Sequence, residues 1–301
     1  MSRRRFSFDQ CGPALLVVGA LAVSVWVFTL SKSSDRHPSG ALDTTVAHIH
    51  ALGVNPADDS LFAATHSGLF RFDDQGVATR VSDNHQDTMG FTVVGPDHFL
   101  ASGHPDMAGP LAGQPALLGL VESTDAGQSW ANVSLSGEAD FHGLSVVNGT
   151  VHGWDSTSRA FMVSADQLSW ERRSTIDLFD FVVDRADESR VVGAAPQGVV
   201  QSTDGGRTWS PPTGPQLVGV TSASDGSLRG VDARGSIWSS EGGWAWTEVG
   251  RIDGEPNAVL ASGDWLWIAT QIDDLTTTIQ RSDDDGDSWV VVYQGRSALP
   301  S

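Results

Sequence analysis

Nine histidines are spread through a chain of 301 residues that holds one cysteine and one tyrosine. Two of them open the same short pattern, His50-x-Leu-x-Val and His142-x-Leu-x-Val. Imidazole titrates nearest neutrality and is the commonest metal ligand, so a recurring histidine position asks what it could bind or protonate. Asp87, Glu138, Asp140 and Asp155 lie close to such positions, with His48, Gln86 and Asp180 flanking them. Imidazoles with carboxylates suit zinc or iron, and imidazoles with a thioether, which Met89 would supply, suit copper. Carboxylates held about 5 to 10 Å apart can instead hydrolyse a glycosidic bond. No tight local ligand spacing singles out one metal.

The elements that must position these groups come from a repeat. Full copies of a turn motif read Ser123-Thr124-Asp125-Ala126-Gly127-Gln128-Ser129-Trp130, Ser202-Thr203-Asp204-Gly205-Gly206-Arg207-Thr208-Trp209 and Ser282-Asp283-Asp284-Asp285-Gly286-Asp287-Ser288-Trp289. Worn copies run from Ser164 to Trp170 and from Ser239 to Trp246, and Asp73-Asp74-Gln75-Gly76 is a more degenerate one. A period of about 40 residues with short strands in each unit marks a propeller or an array. Asp and Ser side chains bond backbone groups just ahead of them, Gly takes positive φ, and a trailing Trp buries a large face. Such turns are expected to be fold staples. The acidic stretch Asp283 to Asp287 also offers the several oxygens that Ca²⁺ wants, or is a solvated turn.

Each unit reads as four strands, A to D, with the motif between C and D. The first A strand covers His48 to Val54; later ones are Met89–Val94, Phe141–Val147, Leu178–Val183, Leu217–Val220 and Ala258–Ala261. Their apolar runs, bounded by Gly, Asn and Asp, fit short strands. The expected fold is all-β, a six-bladed β-propeller; a seventh blade stays open, but no residues for it are found. No strand is left over to exchange between first and last blades, so closure rests on packing. A Pro- and Gly-rich insertion near Met107 to Pro115 lengthens the second unit.

In a propeller, strand A starts and B–C turns share one channel mouth. His50, Met89 and His142 then become equivalent, as do His66, His104 and Asp155, with Ala195, Asp232 and Gln271 at the B–C turns of later blades. The ligand-binding set is His48, His50, Met89, His104 and His142, and the metal set is His50, His66, His104 and His142. The catalytic candidates are Glu138, Asp140, Asp155 and Asp87. A lone histidine in such a place is often a hydrogen-bonded filler; six near one rim, counting His85, also fit a functional cluster. His98 and His152 read as structural or exposed. Trp154, beside Asp155, could stack on a sugar ring or pack between blades.

Residues 2 to 8 carry Arg3, Arg4 and Arg5 ahead of an uncharged apolar run from Gly12 to Leu30. That run is near the minimum for a membrane helix, and the arginines would hold their side in the cytoplasm. With Phe6 the opening looks like a twin-arginine export signal, although the usual Leu-Lys is missing. Residues 1–31 are thus a signal anchor or an export signal, 32–45 a linker, 46–294 the propeller and 295–301 a tail. The bulk of the chain is expected outside the cytoplasm, membrane-tethered or secreted. Cys11 precedes the apolar run, so lipidation is not expected, and no intrachain disulfide can form. Beyond residue 31 the chain keeps 15 basic against 36 acidic residues. Such a surface repels phosphate backbones and excludes nucleic acid as a partner. It suits a cationic partner, a metal ion or solubility.

The repeated motif resembles the Asp-box, or BNR repeat, of the sialidase superfamily, over about residues 46–294. Sialidases clamp a substrate carboxylate with three arginines and use a tyrosine nucleophile, a glutamate and an aspartate acid. Here Tyr293 falls in an outermost strand, the Arg-Ile/Val-Pro signature is absent, and Arg229 and Arg234 have no third partner. True sialidase activity is therefore not expected. The chain is more similar to non-catalytic Asp-box propellers that bind polypeptide, the photosystem II assembly factor and sortilin-type receptors. His48-Ile49-His50 and Glu138-Ala139-Asp140-Phe141-His142 also resemble a group of exported bacterial proteins labelled glycosyl hydrolase. The resemblance implies a binding propeller with a protein, carbohydrate or metal ligand; a paired-carboxylate glycoside hydrolase is the alternative.

Overall fold

The computed structural model describes residues 46, 48–106 and 113–296. The apolar run 12–30 and most of the 107–115 insertion lie outside the described residues. No helix among the described residues is long and apolar enough to cross a membrane.

Among the described residues, twenty-three strands form six antiparallel sheets, each built from consecutive strands. Blade one holds β1 (Ile49–Val54), β2 (Leu61–Thr65), β3 (Gly68–Phe72) and β4 (Ala78–Arg80). Blade two holds β5 (Asp87–Gly95), β6 (His98–His104), β7 (Leu120–Ser123) and β8 (Ala131–Ser134). Blade three holds β9 (Phe141–Val147), β10 (Thr150–Asp155), β11 (Ala160–Ser164) and β12 (Glu171–Thr175). Blade four has β13 (Asp180–Val183), β14 (Val191–Ala195) and β15 (Gly198–Ser202). Blade five holds β16 (Leu217–Ser222), β17 (Leu228–Asp232), β18 (Ser236–Ser240) and β19 (Thr247–Arg251). Blade six holds β20 (Glu255–Ser262), β21 (Trp265–Asp273), β22 (Thr276–Ser282) and β23 (Val290–Arg296).

The inner strands β1, β5, β9, β13, β16 and β20 touch in that order, and β20 returns to β1, so the sheets close into a six-bladed ring. Blade four departs from the expected four strands. Pro211 and Pro212 have no N–H to give a ladder, and the outer strand shrinks to the bridge between Val199 and Thr213. Ser210 N–H still bonds Gln201 O at 2.8 Å, so the edge stays covered.

The repeated turns explain how the blades stack. In blade four, Ser202 Oγ accepts Gly206 N–H at 2.8 Å and donates to Asp204 Oδ1 at 2.7 Å. Asp204 takes the N–H and hydroxyl of Thr208, at 2.9 and 2.6 Å. The turns at Ser123 and Ser282 repeat these bonds. In the acidic stretch of blade six, Asp284 is thus bonded within its turn, and Asp285 pairs with Arg229 Nε at 2.7 Å.

Each turn rests on the blade before it. Gly206 has φ of +85°, and a Cβ there would sit 2.3 Å from the Phe161 ring of blade three. Trp209 Nε1 donates to Ser174 of blade three, Trp170 to Ser134 of blade two, and Trp289 to the Arg251 carbonyl of blade five. The degenerate turn of blade one does the same across the closure: a Cβ on Gly76 would lie 2.1 Å from Val292 O of blade six. Beneath it, Val46, Ile49, Phe70, Phe72, Trp267, Ile279 and Tyr293 form one buried cluster spanning the first and last blades. Burying each large side chain there contributes about 1.5–3 kcal/mol, which closes the ring without a shared strand.

Candidate functional site

Five of the six inner strands carry a one-residue register shift at their first turn, and the shifted residues are His50, Met89, His142, Val218 and Asn257. A β-bulge bends its strand and re-aims the extra side chain, and bulges collect beside functional sites. Blade four has no such shift, and Phe179 stands just ahead of β13. Five of these positions, His50, His142, Phe179, Val218 and Asn257, stand at one mouth of a central channel of about 570 Å³ lined by the six inner strands; Met89 is not among the lining residues.

Blades one to three fill that mouth with a continuous chain of imidazoles and carboxylates. His48 stacks on His66 with ring centroids 4.9 Å apart, and His50 meets His66 edge-on at 4.3 Å. One ligand atom from each of His48, His50 and His66 lies within 4.8 Å of the others. His50 Nε2 is 3.2 Å from His66 Nδ1, and Asp87 Oδ1 lies 2.8 Å from His66 and 3.5 Å from His50. His104 stands between Asp87 Oδ2, 3.8 Å from its Nδ1, and Asp140 Oδ2, 3.7 Å from its Nε2. His142 Nε2 donates to Asp140 Oδ2 at 2.9 Å.

The backbone underneath explains this convergence. His48 has a φ of +44°, a left-handed conformation uncommon outside glycine that turns its ring over the rim. His66 and His104 come from B–C corners, and Asp87 pairs with His104 in the β5–β6 ladder. Asp140 is clamped by its own backbone: its N–H bonds Asp155 Oδ1 at 2.9 Å, and its carbonyl accepts Ser156 N–H at 2.9 Å.

Burial and mutual proximity set the charge of two of these imidazoles and of Asp140. Burial, then the neighbouring His66, His48 and His142, pushes the His50 imidazole down to about 3, so it is neutral at physiological pH. Burial and His66 also lower His48. Hydrogen bonds and charge from His142 hold Asp140 below the usual carboxylate range, although burial alone would raise it.

The remaining expected residues separate into other roles. Asp155 is buried and holds its own turn, through Asp140 N–H, the Thr157 hydroxyl and both the N–H and hydroxyl of Ser158. Glu138 is exposed on the loop before β9. Met89 is half-buried on the blade-two bulge. Trp154 donates its indole N–H to Ile176 O, and its ring packs against blades three and four, edge-on to His142. His85 lies 3.1 Å from Arg80, and Gln86 is buried beneath the rim, bonded to Asn84 and Thr88. His98 pairs with Glu122 at 2.7 Å, and His152 is buried against Phe161. Asn257, which the sequence reading passed over, comes within 3.4 Å of His48 Nδ1 from the adjoining blade six. Its signal was there: it fills, in unit six, the slot of His50 and His142.

No protein-family model matches this sequence, and no curated protein matches it. Solved structures share the fold. A GH74 xyloglucanase from Xanthomonas campestris aligns at a TM-score of 0.56 and 18% identity, over 83% of this chain and 46% of that one. One chain of a nidogen/laminin complex aligns at 0.59 and 11% identity, over 79% of this chain and 93% of that one. YCF48 bound to D1 peptide aligns at 0.52 and 15% identity, over 82% and 81%. The chain spans less than half the length of the GH74 enzymes it matches. At these identities the likeness is one of fold, a β-propeller.

Proposed function

We propose that this protein is a binding propeller of the Asp-box type whose channel mouth takes a divalent transition metal. The observation that carries the reading is the convergence of His48, His50 and His66 within one coordination sphere, with Asp87 beside them. Three imidazoles and a carboxylate make a nitrogen-rich, borderline set that favours zinc, copper, nickel or iron over calcium or magnesium. Asp87, bonded to His66, either completes the set or orients the imidazole. The ion would leave at least one position for a donor from a partner, and YCF48 bound to D1 peptide is a propeller of this fold with a polypeptide partner. The Arg3–Arg5 and Gly12–Leu30 segment supports a further proposal, that the domain is tethered to a membrane on the extracytoplasmic side.

Full-length protein without a polyhistidine tag, stripped with a chelator and titrated with zinc or copper, should take up metal with a defined stoichiometry. His50→Ala with His66→Ala should remove that uptake. If wild-type protein binds neither ion, or the double variant binds as well as wild type, the reading fails. Alkaline phosphatase fused after residue 296 should be active if the domain is exported.

A paired-carboxylate glycoside hydrolase is the second reading, favoured by Asp87 and Asp140 facing one mouth and by the GH74 fold likeness. Both carboxylates are faced by imidazoles, which makes them poorer acid and base partners for a sugar oxygen. Turnover of aryl glycosides that disappears in Asp87→Asn would establish it.

A further inference from the structure

The four histidines expected to share one ion divide into two groups. His50 and His66 join His48, whereas His104 and His142 converge on Asp140. We infer that His104, Asp140 and His142 build a second divalent-metal seat, next to the first and linked to it through Asp87. This rests on the reading of the mouth as a metal site.

The first argument is an unsatisfied oxygen. The Asp140 side chain is 5% exposed. Its Oδ2 accepts from His142 at 2.9 Å and from Ser156 at 3.0 Å, but its Oδ1 is buried with no hydrogen-bond partner. A buried carboxylate oxygen left without a donor is costly, and such an atom calls for a water or an ion.

The second argument is spacing. His104 Nε2 lies 3.7 Å from Asp140 Oδ2, too long for a hydrogen bond. Ligands about 2.1 Å from a tetrahedral ion stand about 3.4 Å apart, so this is closer to a coordination edge. The spacing is looser than that of His48, His50 and His66. An ion here would therefore draw His104 and His142 in around Asp140 and replace the His142 bond to it. Two imidazoles and one carboxylate suit iron or zinc.

The third argument is support. His104 Nδ1 faces Asp87 Oδ2 at 3.8 Å, while Asp87 Oδ1 bonds His66 at 2.8 Å. A metal-bound imidazole commonly gives its other N–H to a carboxylate, which fixes its tautomer. A small closure of the first gap would make Asp87 that acceptor for His104 and a direct neighbour of the first ion. Asp140 itself sits on backbone held by Asp155 and Ser156, so the carboxylate is presented from a rigid corner.

The test is stoichiometry on full-length, tag-free, chelator-stripped protein. Calorimetric titration with zinc should give two equivalents. His142→Ala and His104→Ala should each give one, the equivalent that the His50 and His66 variant removes. His50→Ala with His66→Ala should lose that equivalent and keep the one at the second seat. His104 and His142 are part-exposed, so their variants are expected to fold, and circular dichroism checks it. Cobalt titration, read in the visible spectrum, should show two successive bands, the second absent in His142→Ala. One equivalent in wild type, lost only in the His50 and His66 variant, would overturn the second seat and leave the first reading standing. One equivalent lost from either side would mean a single shared ion and would also overturn it. No uptake at all would sink both.

Discussion

Around one channel mouth, blades one to three present His50, Met89 and His142 at the position where blades four to six present Phe179, Val218 and Asn257. The backbone differs little between the halves: the same bulge recurs in five inner strands. The side chains differ in kind. One half has five imidazoles linked through Asp87 and Asp140, and the other offers an exposed Phe179, which is 53% accessible, a valine and an amide. The lesson is that the repeat supplies a rim of equivalent pedestals and leaves chemistry to whichever residues stand on them. Stability should therefore be shared evenly between the halves, and metal affinity should not.

The largest expected effect tests the shared part. Phe161→Ala in blade three and Ile237→Ala in blade five, both fully buried, should each cost about 2–5 kcal/mol by denaturant unfolding. A large loss on one side only would break the picture of equivalent blades. Next comes the unshared part: His50→Ala with His66→Ala should weaken zinc binding by more than about a hundredfold, while Val218→Ala changes it little. Equal losses from both would mean that the rim acts through its shape.

The two halves should pull stability in opposite directions with pH: the buried His50, held down to about 3, adds stability as pH rises toward its unfolded value of about 6.5, and Asp180 does the reverse. Asp180 lines the channel in the plain half, and burial pushes its carboxyl up to about 7, against bonds donated by Val220 and Phe181 N–H. A pKa raised on folding stabilises at low pH, fully below about 4, and that contribution is lost as pH rises through about 7. Asp180→Asn should therefore gain on wild type in melting temperature as pH rises from about 4 to about 7, and a difference between the two that stays constant with pH would count against this. The repeat turns act oppositely. Bonds from Thr208 to Asp204, and from Ser288 to Asp284, hold those carboxylates below their ordinary range, so their contribution is lost as pH drops below about 4. The smallest effect joins the halves: Asn257→Ala should weaken zinc binding only about two- to fivefold, through its contact with His48.

Much of the ring was legible because spacing is conveyed by residues with narrow conformational roles. Ser, Asp, Gly and Trp at fixed offsets can make little else than this turn, and counting between them gave the six units. The equivalence of His50 and His142 followed from aligning strand starts. What the turns rest on was not legible, because Gly206 against Phe161 and Gly76 against Val292 are contacts between units, and a period describes only one. Asp155 looked like chemistry because it shares a B–C corner with His66 and His104; only its bonds to Thr157 and Ser158 mark it as a turn residue. The division of the histidines into two groups depends on His48 bending back at positive φ and on Asp87 reaching across a blade boundary, and neither is periodic. The outer strand of blade four was overcounted although Pro211 and Pro212 were in view.

The seat of Gly76 against Val292 has one further consequence. Every other repeat turn meets a surface made earlier during synthesis, but the first must wait for the last strand to arrive. A chain cut before residue 290 would therefore keep all of its mouth histidines and still be unfinished, with the Phe72 and Tyr293 seam unmade. The molecule in effect inspects its own completeness, and a prematurely ended copy would be the one that proteases find first.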